Sequence, residues 1–209
     1  MSQYVLFSEY DLASKYETTV QPFWLKNVTH GKFRGKGDVG IGYAQVVHPD
    51  AIGSVVISSG RIESLLKYKE IVYDFYQNGY SVFIHDHRGQ GLSGRMLDNP
   101  QIGYVQCFDD YVYDFKQFID QVVSESSQHK PKLLCHSMGG AIGALTVMRY
   151  PELFDRVAFS APMFGIRPSL PNWFANLLLS LHAVINKKNA YFFGQKNYES
   201  KPFKTNELT

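Results

Sequence analysis

The sequence is poor in the features that mark several classes of protein. Only two cysteines, Cys107 and Cys135, occur in 209 residues. They cannot build a disulfide framework and are too few for a zinc site of their own, so no metal is expected. Neither sign of charge is in excess: 21 basic residues stand against 19 acidic ones. That balance gives no reason to expect nucleic acid as a partner. No apolar run reaches the length of a membrane span. Met1-Ser2-Gln3-Tyr4 lacks the basic cluster and apolar stretch of a secretory signal. There is no internal repeat and no low-complexity tract. The expectation is a soluble protein of a reducing compartment, the cytoplasm. Hydrophobic residues make up 44% and charged residues 19%, an ordinary globular composition that excludes wholesale disorder.

Three stretches differ along the chain. Residues 1–39 read as an N-terminal extension and edge strand: weak periodicity to residue 30, then the glycine- and lysine-rich Gly31-Lys32-Phe33-Arg34-Gly35-Lys36-Gly37. Residues 40–165 alternate short apolar strands with helices. Strands are expected at 43–47, 53–58, 80–84, 132–135 and 156–159. Helices are expected over 65–76 (Leu66, Tyr73 and Phe75 inward), 109–123 (Val112, Phe115, Ile119 and Val122 on one stripe) and 138–149. This rhythm predicts an α/β fold, a mostly parallel sheet covered by helices on both faces. Residues 166–209 break it. After Pro168 and Pro171 comes the apolar, helical run 173–181, then a polar and aromatic tail. The segment holds six basic residues against two acidic ones.

The strongest chemical signal is Leu133-Leu134-Cys135-His136-Ser137-Met138-Gly139-Gly140-Ala141. A strand runs into Ser137 and a helix leaves from Met138, as in a nucleophile elbow. The tight turn lifts the serine hydroxyl clear of the sheet, and Gly139 and Gly140 provide the small residues needed where strand and helix pass closely. Cys135 stands where the pattern expects glycine. A serine hydrolase also needs two backbone N–H groups aimed at the developing oxyanion. The elbow pattern takes one from the residue after the nucleophile, Met138, and one from the loop after an earlier strand. Ser58-Ser59-Gly60-Arg61 is such a loop, and the N–H of Arg61 is its candidate donor.

Two further patterns resemble sites of other kinds. Gly89-x-Gly91-x-x-Gly94 follows a strand as a dinucleotide fingerprint does, with Asp114 twenty residues on. The fingerprint requires a helix to open at the glycines. Arg95-Met96-Leu97-Asp98-Asn99-Pro100 is a poor helix, and Asp114 falls inside a helical stripe, so no nicotinamide and no other cofactor is expected. His85 and His87 alternate like a metal pair but have no further ligand cluster nearby. A structured polar loop is the better reading.

The order of four segments resembles the bacterial lysophospholipases, on the monoacylglycerol-lipase-like branch of the α/β-hydrolase superfamily. They are Ser59-Gly60-Arg61-Ile62-Glu63-Ser64 with Tyr68; Asp86-His87-Arg88-Gly89-Gln90-Gly91-Leu92-Ser93-Gly94-Arg95; His136-Ser137-Met138-Gly139-Gly140-Ala141-Ile142; and Ala161-Pro162-Met163-Phe164-Gly165-Ile166. The resemblance covers nearly the whole chain, weakly before residue 40. It implies an α/β-hydrolase core over 40–165, the start of a cap over 166–209, and hydrolysis of a lysophospholipid ester through an acyl-enzyme on Ser137. Family members often carry alanine where Cys135 stands.

In this fold the triad follows the chain order serine, acid, histidine. After Ser137 the only histidine is His182, on the apolar run. Asp155, Glu152, Glu199 and Glu207 also precede the strand that should present the acid. His136 adjoins the serine on an extended chain and faces the other way. The sequence therefore reads as an N-terminal portion, with no triad acid or histidine and little turnover by itself. Other substrates, a monoacylglycerol or another ester, fit the same machinery, and a non-catalytic binding module fits the same fold. The apolar run followed by Lys187 and Lys188 fits a cap in peripheral contact with an anionic membrane; a core helix with a solvated basic tail fits it as well.

Overall fold

The structure, a computed structural model, describes residues 4–165, 171–185, 191 and 196–199. It divides into two compact units. The first comprises Met1–Met96 and Val105–Ile166, the second Leu97–Tyr104 and Arg167–Thr209.

The first unit is built on six strands: β1 Thr29–Arg34, β2 Gly40–Val46, β3 Gly53–Ser58, β4 Tyr80–His85, β5 Lys132–His136 and β6 Val157–Ser160. Their order is β1-β2-β4-β3-β5-β6. β1–β2 and β2–β4 pair antiparallel; β4–β3, β3–β5 and β5–β6 pair parallel. The parallel registers match Ser58 with His85 and with Cys135, and His136 with Ser160. The loops leaving β3, β4 and β5 therefore share one edge of the sheet, the carboxyl edge where open α/β sheets bind their ligands.

Around this sheet lie helices α1 Glu9–Lys15, α2 Gln21–Asn27, α3 Lys69–Gln77, α4 Asp109–Phe118, α5 Ser124–Ser126 and α6 Met138–Arg149. The strands divide their side chains by a period of two. Val56, Phe83, Leu133 and Cys135 meet Val112, Phe115, Phe118, Ile119, Val122 and Ile142 on one face. Val55, Ile57, Val82 and Ile84 meet Phe23, Trp24, Leu65, Tyr68 and Val72 on the other. Helices thus cover both faces, the α/β arrangement expected from the strand–helix rhythm.

Several elements differ in detail from the sequence reading. Residues 9–27 are helical, through α1, a π-helical turn at Tyr16–Val20 and α2. Among the described side chains of that stretch only Val20, Phe23 and Trp24 are buried, which explains its weak periodicity. The helix expected over 65–76 begins as a 3-10 turn at Leu65–Tyr68. Its inward stripe is Leu65, Tyr68 and Val72, while Leu66 is exposed. The cause is Asp86, whose Oδ1 accepts the Leu65 N–H at 2.6 Å and turns that residue inward. The helix expected over 109–123 is α4 followed by a π-helical turn at Ile119–Val123, and its four stripe residues are all buried.

Between β4 and α4 the chain forms no helix. Gly91 has φ 46°, and a Cβ there would stand 2.0 Å from Asp86 Oδ2. The glycines serve a loop that wraps round Asp86. Asp114 is engaged elsewhere. Its two oxygens take Arg88 Nε and Nη2, both at 2.7 Å, and Oδ1 also accepts the Lys36 N–H at 2.9 Å. Lys36 Nζ in turn reaches Asp110 at 2.6 Å.

In the second unit, helix α7 spans Asn172–Ile185. It starts at Pro171, whose carbonyl accepts from Phe174 and Ala175 N–H at 3.0 Å. His182 Nε2 donates to the Tyr191 carbonyl at 2.9 Å. Lys187 and Lys188 lie outside the described residues, as do Arg167, Lys201, Lys204 and Glu207. Among the described residues no helix is long and apolar enough to cross a membrane.

Candidate active site

Ser137 stands between the end of β5 and the start of α6 with φ 50° and ψ −118°, a conformation that L side chains rarely adopt. Three backbone hydrogen bonds hold it: its N–H donates to Ser160 O at 3.2 Å, and its carbonyl accepts from Gly140 and Met163 N–H, both at 2.9 Å. The turn has no room for side chains around it. A Cβ on Gly139 would stand 2.1 Å from Ser58 O, and one on Gly140 would stand 2.6 Å from Pro162 Cβ.

Cys135 fits at the elbow's first position because of a third glycine that sequence reasoning did not single out. A Cβ on Gly143 would stand 2.3 Å from Cys135 Sγ. The sulfur fills the space one turn up α6 that a side chain at 143 would need. Burial pushes the Cys135 thiol up to about 12, so this cysteine is no nucleophile at neutral pH.

The loop after β3 faces the serine. A Cβ on Gly60 would lie 3.2 Å from Ser137 Cβ. The N–H of Gly60 donates to Glu63 Oε2 at 2.7 Å. Its carbonyl accepts from Gln90 Nε2 at 3.0 Å, and Gln90 Oε1 accepts the Ile62 N–H at 2.8 Å. Ile62 itself sits at φ 60°. One residue earlier, the Ser59 carbonyl accepts from His87 Nε2 at 3.0 Å. Sequence reasoning quoted Gln90 and Glu63 within motifs and gave neither a task. The partners of Gln90 are 28 and 30 residues away, beyond the reach of a local pattern.

Glu63 is the anionic group of this loop. Tyr68 Oη donates to its Oε2 at 2.5 Å and Lys67 Nζ pairs with its Oε1. Burial alone would raise its pKa, but hydrogen bonds from Lys67, Tyr68 and Gly60 outweigh that and hold it at about 2. Burial, and then the Glu63 charge, raise the Tyr68 hydroxyl well above its usual range. His136 Nε2 lies 4.0 Å from Glu63 Oε1.

His85 and His87 are fully buried beneath this edge, their ring centroids 4.8 Å apart. Burial holds both below the ordinary histidine range, His87 at about 4. Both rings therefore stay neutral at pH 7. His85 stacks on Phe115 at 5.4 Å and so works as a core aromatic. Among the described residues no cluster of three or more histidine, cysteine or acidic side chains is placed to hold a metal ion.

A strand–serine–helix turn at the carboxyl edge of a mostly parallel sheet defines the class as an α/β-hydrolase. In keeping with this, a thermostable carboxyl esterase from Bacillus coagulans superposes with a TM-score of 0.60 at 17% identity, over 76% of this chain and 50% of that one. Residues 49–207 match the family model Hydrolase_4, serine aminopeptidase S33, and the chain belongs to that family. The chain is 40% identical over 190 residues to lysophospholipase L2 of Escherichia coli strain K12, which is 90% of this chain and 55% of that protein. It is 33% identical over 177 residues to the protein named "Probable lysophospholipase L2" of Haemophilus influenzae, 84% of this chain and 56% of that one. The chain thus spans about half the length of the curated relatives it matches.

Proposed function

We propose that the protein carrying this chain is a serine carboxyl-ester hydrolase that releases the fatty acid of a lysophospholipid. The observation that carries this reading is the left-handed backbone of Ser137 between β5 and α6, supported by the similarity to lysophospholipase L2. Ser137 Oγ attacks the ester carbonyl carbon, and the carbonyl oxygen becomes an oxyanion held by the N–H groups of Arg61 and Met138. Met138 opens α6, so its N–H belongs to the first turn, where no intrahelical acceptor exists. The glycerol oxygen leaves with a proton and an acyl-serine remains. Water then splits that ester, returning the serine hydroxyl and releasing the fatty acid. In this fold the base lies C-terminal to the acid in the chain. The same reading takes 40–165 as the catalytic core and 166–209 as the start of a cap. Its basic residues suit peripheral contact with an anionic membrane.

The test is Ser137→Ala in the full-length protein, assayed on a lysophospholipid and on a monoacylglycerol. Hydrolysis should fall about ten-thousand-fold, and labelling by a fluorophosphonate should disappear. Retention of most of the activity would remove Ser137 from the mechanism. Faster turnover of the monoacylglycerol would move the substrate assignment and leave the machinery in place.

A further inference from the structure

The peptide groups of the loop after β3 can be accounted for one at a time. The Gly60 N–H is taken by Glu63, the Gly60 carbonyl by Gln90 Nε2 and the Ile62 N–H by Gln90 Oε1. The N–H of Arg61 is left without an acceptor among the described residues.

The orientation of that free N–H follows from the bond next to it. The Gly60 carbonyl and the Arg61 N–H belong to one peptide group. A trans peptide is planar and points its C=O and N–H in opposite directions. Anything that holds the Gly60 oxygen on one side aims the Arg61 N–H to the other. Rotation of this single peptide would carry the N–H to the opposite side and put the Gly60 carbonyl oxygen in its place.

Resting on the reading of Ser137 and Arg61 given above, we propose that Gln90 and Glu63 are positioning residues for the reaction, which together keep the Gly60–Arg61 peptide from turning over. Gln90 bridges the loop with both ends of its amide, donating to the oxygen of that peptide and accepting from the N–H of the next. Glu63 takes the N–H of the peptide before it. Each is itself held. Gln90 N–H donates to the His87 carbonyl at 3.1 Å, and the Gln90 carbonyl accepts from Ser93 N–H at 3.0 Å and Arg95 Nη1 at 3.0 Å. Glu63 is fixed by Tyr68 and Lys67. Neither side chain needs to touch the substrate.

The experiment uses the full-length protein and a soluble ester. Gln90→Leu should lower kcat about tenfold to a hundredfold with KM little changed, because a misaimed oxyanion donor is felt in the transition state alone. Gln90→Glu keeps the shape and the acceptor for Ile62 but cannot donate to Gly60, and it should lose a similar factor. Glu63→Leu should also lower kcat, and Glu63→Gln, which still accepts the Gly60 N–H, should restore most of it. A trifluoromethyl ketone, whose adduct with Ser137 places an oxyanion in the same position, should bind each impaired variant more weakly by a factor close to the loss in kcat. Melting temperatures measured alongside separate this effect from unfolding. If Gln90→Glu and Glu63→Leu stay folded and keep wild-type kcat and ketone affinity while Ser137→Ala is dead, the positioning proposal is overturned and the serine reading stands. A rise in KM with kcat unchanged overturns it equally. If Ser137→Ala itself stays active, the serine reading fails first.

Discussion

The two halves of the site are shaped by different forces. The elbow at Ser137 is made by exclusion: Gly139, Gly140 and Gly143 sit where any side chain would strike Ser58, Pro162 or Cys135. The loop at Gly60 is made by attachment: His87, Gln90 and Glu63 hold it by hydrogen bonds from side chains. A turn defined by sterics can be read from the chain that forms it. A turn held by side-chain hydrogen bonds, two of its three anchors 28 to 30 residues away, depends on partners that a local pattern does not name. The first kind should fail by unfolding, the second by misalignment.

The largest expected effect is on the elbow. Gly139→Ala places a methyl group against the backbone of Ser58, which cannot swing aside. Unfolding stability should drop by about 4 kcal/mol, at the high end for a single substitution. A denaturant titration reads it, and a loss below about 1 kcal/mol would mean that the elbow is looser than these distances imply.

A smaller effect sharpens the steric half. Gly143→Ala should cost about 2 kcal/mol through its clash with Cys135 Sγ. Adding Cys135→Ala removes the sulfur and leaves the two Cβ positions 3.7 Å apart, an ordinary contact. The double variant should therefore be more stable than Gly143→Ala alone, with a coupling of about 1 kcal/mol or more. Simple additivity would show that sulfur and glycine do not compete for one space.

The smallest effects concern pH and the attached half, whose two ionisable anchors should weaken in different windows. His87 is held at about 4 against an ordinary 6.5, so the unfolded chain takes up its proton first. Its contribution is complete above pH 6.5 and is lost as pH falls towards 4. Glu63, at about 2 against an ordinary 4.5, contributes fully above 4.5 and loses that contribution as pH falls towards 2. Stability differences between the wild type and His87→Gln, and between the wild type and Glu63→Gln, should each change only within their own window. A His87→Gln difference that stays flat from pH 6.5 to 4 would show that this histidine titrates normally.

Much of the architecture was legible because it depends on burial. The five expected strands coincide with β2–β6 to within a few residues at each end: β3 and β4 are buried almost throughout and read as short apolar runs, while β6, at the sheet edge, is mostly exposed and shows itself by Val157-Ala158-Phe159. The helix of 138–149 matches α6. Among their described side chains the missed helices of 9–27 bury Val20 and the adjacent Phe23 and Trp24, clustered at one end and too few to register as a stripe. The shift from Leu66 to Leu65 comes from a hydrogen bond to Asp86, 21 residues on. At the site, the elbow's shape was legible as far as glycines adjoin the serine. Gly143 needed the strand–helix contact to be seen, and Gln90 and Glu63 needed the loop's hydrogen bonds.

The Arg88–Asp114 pair bears on motion. Arg88 is 5% exposed and Asp114 1%, and with Lys36 and Asp110 they join the β1–β2 turn, the loop after β4 and helix α4. An opening that separates this pair must also break the three-element contact it makes, so such openings are rare. Gln90 stands two residues from Arg88 and shares its loop. The arm that holds the Gly60 loop is therefore rooted in a buried ion-pair cluster, and amide hydrogen exchange should run as slowly at Gly89 and Gly94 as in β4. The loop it holds, with Ile62 85% exposed, is then the faster-opening partner of the two.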